Sequence, residues 1–401
     1  MLKDRYRVLL VASHPVQYQS PVFRRMAEHP RLNIQVAYCS LQGAEPTLDP
    51  GFGIELSWDV PLLEGYSWMN VPNRSRHPAL NNFFGLVNPG LWRLVGSNKY
   101  DAVVVYTGYA CFSFWIALAA AKFHRRALLF GTDAHALAPR DGKSWKITLK
   151  RIVLPRLFRL ADVVIVPSSR GAEMMRSLGI PDERLVLTPY VVDNAWWVKH
   201  SEIVDRGAVR RAWGVPEDAP VVLYCAKLQP WKRPLDLLQA FARANVTHSH
   251  LVYAGEGPLR LELESRAKEL GLSERVHFLG FTNQSRLPAV YRASDLLVLP
   301  SEYEPFGVVV NEAMLSGCAA AVSDRVGAGR DLISTEETGF IFPCGDINAL
   351  SAILRHVLPD QKRLQRMGEA ARRGMERWSP AQNIQALVHA IDQSHMLAAC
   401  H

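Results

Sequence analysis

Short apolar runs alternate with longer stretches of helical period along the first half of the chain. The apolar runs predict buried strands at residues 7–12, 33–38, 102–106, 127–130 and 163–166. Strands that are apolar on both faces and alternate with helices are typical of a parallel, doubly wound sheet. The pattern therefore predicts an α/β domain over about the first 190 residues.

The same alternation begins again near residue 221. Strands are predicted at 221–225, 250–254, 276–279, 296–299 and 319–323, and helices at 234–244, 258–270, 286–293 and 307–316. The polar segment 193–220 between the two halves has prolines near its end and predicts a connection between domains. A chain of 401 residues suits two such domains. Ligands of open parallel sheets bind beyond the carboxyl ends of the strands, so we expect the functional site of this protein at those ends.

Residues 102–121 are uncharged over about the length that spans a bilayer. Gly108 interrupts this stretch, and we interpret it as a buried strand, a turn and a helix. The apolar run after the N-terminus is too short for a signal sequence, and the six cysteines form no CxxC pair. These features predict a cytoplasmic protein.

The positive charge is concentrated in the first half of the chain. Residues 1–200 hold 24 Lys and Arg against 15 Asp and Glu, whereas the remainder is nearly neutral. Cations alternate with apolar residues from Lys143 to Arg159. Such a segment can lie on an anionic membrane surface or contact nucleic acid, or it can be a solvated helix with its apolar side in the core.

After the predicted strand 296–299, Glu304 lies in the loop and Glu312 in the second turn of the helix that follows. A helix is predicted to begin near Phe306 or Gly307, where free backbone N–H groups and the helix dipole form a site for phosphate. Carboxylates accept hydrogen bonds from sugar hydroxyls. The arrangement suits a ribose, a diphosphate and a second sugar.

Two cations follow the first strand of the second sheet. Lys227 and Lys232 stand at its carboxyl edge, where they could neutralise a departing diphosphate. Two surface lysines on a loop are the alternative interpretation. The acidic loop in the same domain favours the first one.

The second half of the chain resembles the donor-binding half of glycosyltransferase family four, retaining enzymes of the GT-B architecture. The match comprises Lys227 with Lys232, the E-x7-E pair Glu304 and Glu312, and the runs at 254–259, 278–281 and 291–295. The resemblance implies two Rossmann-like domains facing across a cleft. It predicts domains at 1–193 and 194–377, and a helix at 378–401 that crosses back to the first domain.

The resemblance also implies roles for individual residues. Glu304 would bind the transferred sugar and act at the catalytic centre, and Glu312 would hold the ribose. The other donor-binding residues are Lys227 and Lys232 at the diphosphate, Phe281 and Thr282 beside the base, and the amides of Phe306, Gly307 and Val308. Enzymes of this family generally need no metal or other cofactor, and the sequence has no D-x-D pair.

The first half matches the family less well. Family members usually have a glycine-rich loop after the first strand, whereas residues 12–21 contain no glycine. His14, Gln17 and Tyr18 are instead suited to hydrogen bonds with a polar acceptor. Asp133 matches a family residue after a later strand, and His135 lies two positions beyond it, so both are candidates for the catalytic centre.

The resemblance therefore implies a retaining, metal-independent hexosyltransferase of the kind used in polysaccharide biosynthesis. The donor would be a nucleotide-diphosphate sugar, and the acceptor a glycan, a lipid-linked saccharide or a small molecule. Peripheral contact with the inner membrane face is possible, and no nucleic-acid partner is expected because no recognised motif is present. The alternatives are a nucleotide-sugar epimerase, a phosphorylase, or a surface-binding module with a degenerate donor site.

Overall fold

The computed structural model describes residues 3–49, 52–137 and 144–399. Its strands are β1 Tyr6–Ala12, β2 Leu32–Tyr38, β3 Thr47–Asp49, β4 Ile54–Leu56, β5 Trp68–Asn70, β6 Ala102–Val105, β7 Ala127–Gly131, β8 Val163–Val166, β9 Leu185–Leu187, β10 Val221–Cys225, β11 His250–Ala254, β12 Val276–Gly280, β13 Leu296–Leu299, β14 Ala319–Ser323 and β15 Gly339–Phe342.

Helices lie between most of these strands. They are α1 Gln19–Glu28, α2 Gly90–Gly96, α3 Phe112–Phe123, α4 Ser144–Phe158, α5 Ser169–Ser177, α6 Asn194–Glu202, α7 Arg206–Ala212, α8 Pro234–Ala244, α9 Arg260–Glu269, α10 Leu287–Ala293, α11 Val308–Leu315, α12 Gly329–Leu332, α13 Ile347–Val357, α14 Gln361–Gly374 and α15 Pro380–Ala399.

The chain divides into two compact units. The N-terminal unit comprises residues 1–47, 61–190 and 380–401, and the C-terminal unit comprises residues 48–60 and 191–379. Each unit contains one parallel sheet with interspersed helices, so the predicted α/β class with two Rossmann-like domains is confirmed.

The N-terminal sheet has seven strands in the order β5-β2-β1-β6-β7-β8-β9. Its central strands form the core because their side chains are apolar on both faces; Leu9 and Val103, for example, are fully buried. The five predicted strands are confirmed within one or two residues. The pattern did not predict the two edge strands, β5 and β9, which have three residues each.

The uncharged stretch 102–121 folds as the predicted strand, turn and helix. It forms β6, a loop through Gly108, and α3. Among the described helices, none combines the length and the apolarity that crossing a membrane requires.

Helix α15 joins the N-terminal unit although it lies at the other end of the sequence. Asp392 accepts hydrogen bonds from the Tyr6 hydroxyl at 2.7 Å and from both terminal nitrogens of Arg31 at 2.9 Å. Tyr6 also stacks on His395 at 5.2 Å. These contacts fix α15 beside the start of β1.

The C-terminal sheet has six strands in the order β12-β11-β10-β13-β14-β15. All five predicted strands are confirmed, and β15 extends the sheet beyond them. The carboxyl ends of parallel strands meet at one edge, so the loops after β10, β12 and β13 are neighbours there.

The segment 193–220, predicted as a connection between domains, belongs to the C-terminal unit and contains α6 and α7. The carboxylates of Asp193 and Asp205 cap these helices by accepting the backbone N–H of Trp196 and Ala208. Fully buried Arg210 of α7 is ion-paired with Asp295 at 2.7 Å. The polar residues that suggested a linker therefore serve as caps and a buried ion pair.

The domain boundaries also differ from the prediction at residues 48–60. The prediction placed this segment in the N-terminal domain, but its contacts lie in the C-terminal unit. The backbone N–H of Ser285, for example, donates to the Asp59 carboxylate at 3.0 Å. Local periodicity cannot reveal such a long-range contact.

Candidate functional site

Helix α11 begins at Val308, within two residues of the start that the sequence predicts. Gly307 precedes the first helical residue with a φ of +98°, a left-handed conformation that favours glycine. A Cβ atom here would also lie 3.2 Å from the Glu304 side chain. The first N–H groups of any α-helix lack partners within the helix, and the dipole makes this end positive.

Lys232 and Glu304 form an ion pair beside this helix start. Their side chains are 16% and 15% exposed. The loops that carry them are joined by a backbone hydrogen bond of 2.8 Å from Glu302 to Trp231. The structure thus brings the predicted sugar-binding acid and one predicted diphosphate-binding cation into direct contact.

Glu312 is buried on α11, one turn beyond the helix start. Its carboxylate accepts the Tyr291 hydroxyl at 2.8 Å and lies 3.5 Å from the Gln284 amide nitrogen. Burial raises its pKa to about 7, although the hydrogen bonds from Tyr291 and Gln284 oppose this rise. The buried Glu312 carboxylate can bind the hydroxyls of a ribose only if the ligand reaches its oxygen atoms.

Lys227 follows β10, in a loop that packs closely against the loop after β11. A Cβ atom at Gly255 would lie 2.0 Å from the Ala226 carbonyl oxygen, so the loop after β11 can approach only because this residue is glycine. The Lys227 ammonium pairs with Asp49 at 2.7 Å and lies 4.4 Å from the centre of the Phe52 ring. The sequence predicted the cation but neither partner.

Phe281 and Thr282 follow β12 and are both half-buried. The Phe281 ring contacts Phe52 edge-on at 4.9 Å and Trp58 at 6.1 Å. Both partners come from segment 48–60. Two aromatic rings therefore pack against Phe281, one of the residues that the resemblance implies beside the base.

Phe306 and Val308 flank Gly307 differently. The Phe306 ring is 1% exposed and stacks on Trp378 at 6.0 Å, so its side chain belongs to the core. Val308 is half-buried in the first turn of α11. Only the backbone of Phe306 is placed to contribute to a ligand site at this helix start.

The N-terminal unit contains a separate group of candidates around the β1–α1 loop. Ser13 Oγ lies 2.9 Å from His14 Nδ1, and burial lowers the pKa of His14 to about 4. Gln17 is half-buried. Tyr18 contacts Tyr190 edge-on at 5.8 Å.

Asp133 and His135 lie in the loop after β7 of the same unit. Asp133 is exposed, whereas His135 is 7% exposed with its Nδ1 3.3 Å from the Asp133 carbonyl oxygen. Burial raises the pKa of Tyr190 well above its usual value, and the charges of Tyr18 and Asp133 add to the rise. Tyr18 thus contacts Tyr190, and the His135 side chain is buried.

Sequence reasoning missed several residues at the edge of the C-terminal sheet. They are Asp49, Phe52, Trp58, Asn283, Gln284 and Tyr291. The turn-forming residues that follow Asp49 predict a turn, but nothing in the sequence connects Asp49 to a lysine 178 residues later. Tyr291 lies in the run 291–295 that matches the family, but the sequence indicated no role for it in the site.

The two units correspond to domain families of known proteins. Two Rossmann-like domains, each with a parallel sheet and candidate ligand-binding loops at the carboxyl ends of its strands, are typical of the GT-B class. Residues 19–191 match the model of the glycosyl transferase 4-like domain, and residues 205–374 match that of the glycosyl transferases group 1. The two matches together take in most of the chain, and each assigns its own segment to a glycosyltransferase domain family.

Curated relatives match part of the chain. It is 38% identical over 194 residues to the uncharacterized glycosyltransferase MJ1607 of Methanocaldococcus jannaschii, covering 46% of this chain and 48% of that protein. It is 30% identical to N-acetyl-alpha-D-glucosaminyl L-malate synthase of Bacillus anthracis, covering 53% and 54% respectively. The chain thus spans about half the length of the curated relatives it matches.

Solved structures match nearly the whole chain in fold. Anabaena HepE in complex with UDP and glucose superimposes with a TM-score of 0.73 at 20% identity, covering 97% of this chain and all of that one. WaaG, a glycosyltransferase involved in lipopolysaccharide biosynthesis, has a TM-score of 0.65 at 17% identity, covering 96% and 99% respectively. These likenesses establish the shared fold.

The burial of Glu312 predicts a pH-dependent stability. The raised pKa favours the protonated acid in the fold, so this stabilisation is complete below pH 4.5 and is lost as the pH rises through about 7. From pH 5 to pH 8, wild type should lose up to about 3 kcal/mol of unfolding free energy relative to Glu312→Gln. Urea unfolding at both pH values measures this difference.

The control is Glu337→Gln, which removes an exposed carboxyl from the same unit. Its unfolding free energy should follow that of wild type at both pH values. Parallel pH profiles for wild type and Glu312→Gln would contradict the assignment of a titrating buried acid at position 312.

Proposed function

We propose that this protein is a retaining glycosyltransferase that moves a hexose from a nucleotide-diphosphate sugar to an acceptor. One observation carries the proposal: the Lys232–Glu304 ion pair stands beside the glycine-led start of α11. A cation and a positive helix end can together bind a diphosphate. A carboxylate at the same place can hold sugar hydroxyls.

The donor is proposed to lie along the carboxyl edge of the C-terminal sheet. Its ribose hydroxyls would meet Glu312, its diphosphate the first N–H groups of α11 and the lysines, and its base the surroundings of Phe281 and Thr282. HepE has been solved with UDP and with UDP-glucose, which supports a nucleotide sugar as the donor of a protein with this fold. No metal or other cofactor enters the proposed mechanism.

The proposed chemistry is a substitution that retains configuration at the anomeric carbon. The bond from that carbon to the β-phosphate oxygen breaks, and the acceptor hydroxyl forms a new bond on the same face. The acceptor proton passes to the departing phosphate oxygen. Lys227, Lys232 and the helix amides stabilise the charge that develops on the diphosphate, and Glu304 orients the sugar.

The N-terminal unit is proposed to hold the acceptor. His14, Gln17 and Tyr18 supply hydrogen-bonding groups, and Asp133 is an exposed acid of the same unit. The acceptor class is a glycan, a lipid-linked saccharide or a small molecule. A polysaccharide pathway is the proposed setting, and a cytoplasmic location remains a prediction.

The activity is tested by nucleotide release from UDP-, GDP- and ADP-sugars, with and without candidate acceptors. Lys232→Ala should lower kcat/KM by about 100-fold because a charge-stabilising group is lost. Lys268→Ala removes an exposed lysine of the same unit and should leave kcat/KM unchanged. Equal activity of Lys232→Ala and wild type would contradict the assigned role.

The same assay distinguishes the alternative enzymes. An epimerase would convert the donor to an isomer without an acceptor, and a phosphorylase would require inorganic phosphate. A protein that binds no nucleotide sugar at all would be a surface-binding module. A covalent sugar adduct on Glu304 or Asp133 would replace the proposed same-face attack by a double displacement.

A second proposed function is contact with an anionic membrane surface through α4. Trp145, Leu149 and Ile152 are 60%, 50% and 53% exposed on this helix. Cationic side chains alternate with them, and the Lys146 ammonium lies 5.8 Å from the Trp145 ring centre. Exposed apolar residues among cations favour the lipid interface; Lys143, which begins the predicted segment, lies outside the described residues.

Flotation with vesicles that contain phosphatidylserine tests this surface. Wild type should float, and the triple change of Lys146, Lys150 and Arg151 to Glu should abolish flotation because it reverses the local charge. The matched control changes three exposed lysines of the C-terminal unit, Lys199, Lys268 and Lys362, to Glu. Flotation of the α4 variant, or none by wild type, would rule out this contact.

A further inference from the structure

Segment 48–60 belongs to the C-terminal unit although its sequence lies between β2 and β5 of the N-terminal sheet. β3 and β4 form a separate two-stranded sheet there. The described residues of the segment contact Lys227 after β10 and the turn at 281–285 after β12. The segment therefore lies against two loops of the proposed donor site.

Polar contacts fix the end of the segment at the turn after β12. The Asn283 amide donates to the Ser57 carbonyl oxygen at 2.7 Å. The backbone N–H and the hydroxyl of Ser285 both donate to the Asp59 carboxylate, and the Asp59 N–H donates to the Asn283 side chain at 3.3 Å. These four hydrogen bonds position the segment independently of Lys227.

Aromatic contacts continue from that anchor to the lysine. Trp58 and Phe52 both pack on Phe281, at 6.1 Å and 4.9 Å between ring centres. The Lys227 ammonium lies over the Phe52 ring, and such a contact stabilises a cation. The position of Asp49 is thus set by an anchored, packed segment rather than by a loose side chain.

Asp49 ends this row of contacts with its carboxylate on Lys227. The Asp49 Oδ1 atom lies 2.7 Å from the Lys227 ammonium, and the side chains are 26% and 32% exposed. The same Oδ1 atom accepts the backbone N–H of Phe52 at 2.9 Å. A partly exposed ion pair is weak, so another anion with more charge can replace it.

We infer that the Asp49 carboxylate is an internal competitor for the donor diphosphate at Lys227. This inference rests on the proposed function, which makes Lys227 a diphosphate contact. Two anions cannot share one ammonium without repulsion, so Lys227 must break its contact with the Asp49 carboxylate to bind the diphosphate. The affinity for the donor is then the difference between two ion pairs at one cation.

The test is calorimetric titration with UDP, GDP and ADP at neutral pH. Asp49→Asn removes the charge and keeps an oxygen that can accept the Phe52 N–H. It should bind the preferred nucleotide about threefold to tenfold more tightly than wild type, because a weak ion pair no longer competes. Glu55→Gln removes an exposed acid from β4 of the same small sheet and should bind like wild type.

A double-mutant cycle locates the effect at Lys227. In a Lys227→Met background, the change at Asp49 should no longer tighten binding. Asp49→Ser provides a second neutral variant, and thermal unfolding verifies that each variant is folded. Equal or weaker nucleotide binding by both Asp49 variants would overturn the competition while leaving the proposed function intact.

The two proposals fail in different ways. If the Asp49 variants bind a nucleotide and wild type does not, the competition is supported, because the Asp49 carboxylate would then block the site in wild type. If no variant binds any of the three nucleotides, the proposed donor site is contradicted, and the competition at Lys227 is contradicted with it.

Discussion

Charge compensation at the carboxyl edge of the C-terminal sheet governs the candidate site. Lys232 and Glu304 lie in a position where each side chain is about 15% exposed, and a charge of that burial is costly without an opposite partner. Lys227 and Asp49 repeat the arrangement on the neighbouring loop. Both lysines are thus held in ion pairs. Under the proposed function, the donor diphosphate must compete with the carboxylates for these lysines.

The sequence predicted the sheets because their strands are apolar over four or more residues. It also placed the start of α11, since Gly307 and the acids around it mark a helix N-terminus whose left-handed first residue favours glycine. The three-residue strands β3, β4, β5 and β9 are too short for a period. The helices after Asp193 were missed because their polar residues serve as caps and as the buried partner of Asp295.

The sequence predicted only those residues of the candidate site that lie on local elements of the C-terminal sheet. Lys232, Glu304 and Glu312 lie on loops and a helix whose positions follow from the order of the strands, so their types and spacing indicate the chemistry. Asp49 and Trp58 reach the same region from a distant part of the sequence. Only tertiary packing brings them there, and a local pattern cannot report it. The resemblance to glycosyltransferases supplied roles that periodicity alone does not give.

A crystal structure of the protein with its preferred nucleoside diphosphate tests the central claim most directly. The account predicts ribose hydroxyls within hydrogen-bond distance of the Glu312 carboxylate, and a diphosphate between the first N–H groups of α11 and the two lysine ammonium groups. A nucleotide bound elsewhere, with both lysine–carboxylate pairs unchanged, would contradict it.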